Sequence, residues 1–160
     1  MKKGSTIFLR AALIILGVMA LGLCVILFFG LEGEGIRDVP YLERLLTPFV
    51  LMAYLSAIPF YIALFQAWKL LQYIDRNSAF SELSAKALKN IKHCAFTVSA
   101  ILVAALPDFF RIAEVEDAPG VVVIGLIFVG ASLTVAVFAA VLEKLVESAI
   151  AIKSENDLTI

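Results

Sequence analysis

The chain has 160 residues, 62% of them hydrophobic and 17% charged, with a mean hydropathy of +0.99 and a formal net charge of -1. A soluble domain carries roughly 45–50% apolar and about 25% charged residues, and at about 150 residues it hides only roughly 70% of the surface its unfolded chain exposes. The composition therefore excludes an ordinary soluble enzyme and a disordered chain, and the near-neutral balance excludes a direct nucleic-acid binder.

Four stretches are long enough to cross a hydrocarbon core that needs about 20 apolar residues. They run over 11–31, 49–68, 94–110 and 121–142. Each is continuously apolar, so helices are expected rather than the alternating strands of a barrel. Lys2 and Lys3 precede the first stretch, yet its apolar run far exceeds the usual 7–15 residues of a signal core. Leu23 also stands before Cys24, where a lipoprotein site needs a small residue. The first stretch is read as a retained span. The second is the least oily, with Tyr54, Ser56, Pro59, Tyr61 and Gln66, and Pro59 is expected to kink it. Tyr54, Pro59, Tyr61 and Gln66 are the candidate lining of a small cavity, the alternative being hydrogen bonds across the bundle.

Between the second and third spans, Ser81 can cap a helix with Glu82 in its first turn. Leu83, Ala87, Leu88, Ile91 and Ala95 follow at helical spacing, with Lys86, Lys89 and Lys92 on the other side. These lysines suit anionic lipid heads, an acidic partner, or topology alone. The segments on the other side of the membrane are acidic, with Glu32, Glu34, Asp38 and Glu43 in one and Asp108, Glu114, Glu116 and Asp117 in the other. Asp117, Ala118, Pro119 and Gly120 have the chemistry of a turn, hinge or lid. Past the fourth span, Val141, Leu142, Leu145, Val146, Ala149, Ile150 and Ile152 continue a helical stripe, with Glu143, Lys144 and Glu147 assigned to its wet side. Asn156 and Asp157 suit a turn or cap, from which Leu158 and Ile160 could tuck back under the spans.

Ten of the 13 Lys and Arg residues lie at the N-terminus, between the second and third spans, and in the tail. The positive-inside rule then places both termini in the cytoplasm. The expected fold is all-α: a four-helix transmembrane bundle, one integral membrane domain over 1–160, with an amphipathic cytoplasmic extension over 143–160. Central positions of the spans carry no Asp, Glu, Lys or Arg, which argues against an ion-coupled transporter. Ser132, Ala136 and Ala140, and Ala53 with Ala57, form small-residue faces that serve either the monomer's own packing or a homo-oligomer seam. Cys24, Cys94 and the single His93 offer no metal-type spacing, and no nucleophile–base pair is visible. No enzyme, cofactor or metal is expected; membrane lipid is the obligatory partner.

Ile74-Asp75 with Phe80-Ser81, the run Asp117-Ala118-Pro119-Gly120, and especially Lys153-Ser154-Glu155-Asn156-Asp157-Leu158-Thr159 resemble the bacterial membrane family DUF2975 over essentially the whole chain. Ile160 stands where that family's pattern leads one to expect valine. The resemblance implies a four-span protein of the bacterial inner membrane. It also implies a neighbouring helix-turn-helix regulator of the Cro/CI type as a partner. The expected function is thus non-enzymatic: binding and restraining a small cytoplasmic regulator, with Lys86, Lys89, Lys92, Lys153, Glu155, Asn156 and Asp157 as candidate contacts. The alternatives are a small-molecule or lipid carrier that uses the second-span cavity, and a structural subunit of a larger membrane complex.

Overall fold

The computed structural model describes residues 3–32 and 40–159. Lys2, Glu34, Arg37, Asp38 and Ile160, which entered the reading of topology, outer charge and tail, lie outside the described residues. Among the described residues four helices follow in chain order: α1 (Lys3–Glu32), α2 (Pro40–Asp75), α3 (Glu82–Val115) and α4 (Gly120–Thr159). All four are long and apolar enough to cross a membrane. Only Pro48 and Pro59 interrupt the donors of α2, and its helix runs through both.

The helices are longer than the apolar runs, so the connections shrink. The stretch 69–93 becomes a turn over 76–81. Asn77 adopts a left-handed φ of 57°, and the Ser78 and Asn77 amides donate to the carbonyls of Tyr73 and Ile74 at 2.8 and 3.1 Å. That pair of bonds is a Schellman closure of α2. The cap of α3 locks onto it at once. Ser81 Oγ accepts from the Ser84 amide at 3.3 Å, while the Ser81 and Ser84 hydroxyls both donate to the Ser78 carbonyl. The expected N-cap at Ser81 is what the structure has.

At the opposite end, α3 runs on past 110, so Asp108 and Arg111 pair within the helix at 3.7 Å. Asp117 takes φ 49°, and the Ala118 amide reaches the Ala113 carbonyl at 3.0 Å. The expected hinge or lid at Asp117, Ala118, Pro119 and Gly120 is a tight Schellman-type turn that leads straight into α4.

Packing follows chain order. α1 lies against α2, α2 against α3, and α3 against α4, and among the described residues no Cα of α1 comes within 8 Å of α3 or α4, nor of α2 to α4. The four helices thus form an open succession of pairs rather than a bundle closed between first and last. Lipid tails solvate apolar faces as well as other helices do, so only seams with close or polar contacts hold. The α3–α4 seam is such a contact. Gly125, Ala136, Ala139, Glu143 and Val146 of α4 are buried against a face of α3 that buries Ser84, Ala87, Leu88, Ala95, Ser99, Ala105 and Phe109. In its middle, the Ser99 and Ser132 hydroxyls meet at 2.7 Å. The small-residue face of α4 therefore serves the monomer's own packing.

Candidate functional site

Antiparallel order brings the start of α1, the 76–81 turn and the last third of α4 to one end of the molecule. Two ion pairs mark this N/C end. On the α1–α2 seam, Arg10 donates to the Asp75 carboxylate at 2.6 Å and lies over the Trp68 ring, 5.3 Å from its centroid. On the α3–α4 seam, Lys92 Nζ meets Glu143 Oε2 at 2.5 Å, with Glu143 almost fully buried. Both pairs fall where the apolar runs end, which is where a charged side chain first escapes hydrocarbon.

The Lys92–Glu143 pair corrects two expectations. Lys92 does not share an outward face with Lys86 and Lys89. Residues three apart fall about 60° short of a full turn at each step, so Lys92 sits roughly 120° round from Lys86 and faces α4. Glu143 is not on the wet side of its helix. It continues the inward series Ser132, Ala136, Ala139 at alternating steps of four and three, and that spacing was the sequence signal for its burial.

Two of the four candidate cavity residues bond across the α1–α2 seam. Tyr54 donates its hydroxyl to the Cys24 carbonyl at 2.6 Å, and Tyr61 donates to the Gly17 carbonyl at 2.8 Å. Tyr54, Tyr61, Trp68 and Asp75 recur every seven residues on α2, opposite Cys24, Gly17 and Arg10 on α1. This heptad ladder zips the two helices antiparallel, and a Cβ on Gly17 would touch Leu64 at 3.6 Å. Pro59 and Gln66 lie half-buried on the same helix. The two tyrosine hydroxyls are aimed at α1 rather than at an enclosed space.

Beyond the Lys92–Glu143 pair, α3 and α4 leave an open groove of about 570 Å³, lined by Glu82, Lys86, Lys89, Glu143, Glu147 and Ile150. Lys86 and Lys89 stand on its α3 wall and Glu147 on its α4 wall, and all three are exposed. α4 then continues to Thr159, roughly 24 Å past Glu143 at about 1.5 Å per residue. Residues 151–159 are exposed on every side, with Leu158 at 85%. Asn156 and Asp157 are therefore helical rather than a turn, and Leu158 does not tuck back. No Gly or Pro follows Gly130 to break the helix. Of the candidate contacts, Lys86 and Lys89 share the groove, Lys153, Glu155, Asn156 and Asp157 share the projecting helix, and Lys92 is committed to Glu143. Among the described residues no group of three His, Cys, Asp or Glu side chains could hold a metal ion. His93 is exposed, and Cys24 and Cys94 are half-buried thiols.

No solved structure matches this chain. Over its full length and that of the relative, the chain is 51% identical to a Bacillus subtilis (strain 168) protein named "Uncharacterized membrane protein YoaS". The family model described as "Protein of unknown function (DUF2975)" matches residues 34–160, which takes in α2, α3 and α4. With four helices long and apolar enough to span a bilayer, this is a multi-pass membrane protein that belongs to the DUF2975 family.

Proposed function

We propose that this protein is a non-enzymatic anchor of the bacterial inner membrane, with both termini in the cytoplasm, that docks and restrains a small helix-turn-helix regulator at its N/C end. The carrying observation is the projection of α4. Its last nine described residues, 151–159, are exposed all round and make no contribution to packing within the chain. It is the kind of surface a soluble partner reads. The excess of Lys and Arg at this end supports the cytoplasmic assignment, and the family resemblance supplies the regulator. Restraint requires only that the docked and released states differ in affinity, so that a signal acting on the spans shifts the bound population.

The experiment tags the N-terminus, purifies the full chain from native membranes in mild detergent, and compares it with a chain ending at Ile152. A helix-turn-helix protein recovered with the full chain and lost with the shorter one is the expected result. Equal recovery with both chains, or none with either, overturns the reading.

A further inference from the structure

The groove between α3 and α4 has walls of opposite charge. Lys86 and Lys89 face it from α3 and Glu147 from α4, and among the described residues none of them, nor Glu82, enters an ion pair. One layer inward, Lys92 and Glu143 are paired and close the inner end. Counted from that pair at about 1.5 Å per residue, Glu147 lies roughly 6 Å outward, Lys86 roughly 9 Å and Glu82 roughly 15 Å. A headgroup layer is only about 5–7 Å deep on each side of the hydrocarbon. Glu147, and Lys89 at roughly 4.5 Å, thus stand level with the headgroups, while Lys86 and Glu82 at the outer end of the groove lie beyond them and open to water.

An occupant of single sign would be drawn to one wall and repelled by the other. One that carries both signs, a turn apart, is complementary to both. The groove is also some two helical turns long, over 82–90 on α3 and 143–150 on α4, and bounded by two antiparallel helices, which is the geometry that accepts a third helix at a spacing of about 8–10 Å. We infer that the groove is the docking slot for one amphipathic helix of a cytoplasmic protein. That helix presents a carboxylate to Lys86 and Lys89, a basic side chain to Glu147, and an apolar residue to Ile150. The inference rests on the reading that this end receives a soluble partner, and it names where and by what chemistry.

The test uses the full chain in nanodiscs and three fluorescent helical peptides of about 18 residues, roughly five turns. Each has a leucine stripe flanked by Glu and Lys four apart, by Lys alone, or by Glu alone. The mixed-charge peptide is expected to bind about tenfold more tightly than either other. Lys86→Glu with Lys89→Glu should turn the preference toward the Lys peptide, and Glu147→Lys toward the Glu peptide. All three positions are exposed and the Lys92–Glu143 pair stays intact, so the variants retain their fold. Equal binding of the three peptides overturns the inference. So does indifference to the reversals, or binding that follows the anionic lipid content of the disc. A regulator whose recovery needs the tail yet ignores the reversals removes the groove and leaves the anchor reading. Peptide discrimination with no regulator recovered does the opposite.

Discussion

At the scale of single residues, the decisive groups are those that meet across a seam. Lys92 and Glu143 form a largely desolvated pair, so removing one partner strands the other at the edge of hydrocarbon. Glu143→Leu alone should cost about 1–3 kcal/mol, between the exposed and buried limits. The double variant Lys92→Met with Glu143→Leu should recover most of that loss in steric-trap unfolding in bicelles. A double variant no better than the single would remove the pair from the account. Gly125 is the second such place. A Cβ there would stand 3.0 Å from the Phe109 ring, which is buried and held edge-on by Phe49 at 4.9 Å. The ring has nowhere to retreat, so Gly125→Ala should destabilise by about 1–3 kcal/mol. Phe109→Leu in the same chain should relieve it, as read by thermal unfolding.

At the scale of helices, α1 and α2 are held by a ladder and α4 by its inner two-thirds. Tyr54→Phe with Tyr61→Phe deletes two hydroxyl-to-carbonyl bonds at about 0.6 kcal/mol each, the average for interhelical bonds in a membrane. The expected readout is faster cross-linking between introduced cysteines on separated faces of α1 and α2, with the α3–α4 seam unchanged. The projecting end of α4 behaves in the opposite way. Ending the chain at Ile152 should leave unfolding within about 0.5 kcal/mol of the full chain, because residues 153–159 bury nothing against the rest. A larger loss would show that the tail is part of the fold rather than a surface for something else.

At the scale of the molecule, the open succession of helices makes a clear statement about α1. Among the described residues it touches α2 alone, and the family model begins after it, at residue 34. Residues 34–160 alone should therefore insert with the α3–α4 seam intact. The seam is read through Ser99→Cys and Ser132→Cys, whose parent hydroxyls lie 2.7 Å apart. Equal disulfide formation in the full and shortened chains is expected. Loss of the cross-link on deletion of α1 would show that α1 closes the assembly.

The spans, their number and their helical nature were legible in the sequence because each depends on a local quantity, the length of an apolar run measured against bilayer thickness. Ser81 as a cap was legible for the same reason, since a cap bonds within its own first turn. What tertiary structure alone decided were pairings between segments distant in the chain. The small-residue face of α4 meets α3 at Ser132 and Ala136, and the tyrosines bond to α1. Lys92 faces inward and finds Glu143 51 residues away. Hydropathy sees how oily a residue's neighbours in sequence are, but the burial of Glu143 follows from which helix lies opposite. That choice is made in a lipid phase where apolar faces do not discriminate, and close approach and a few polar contacts do.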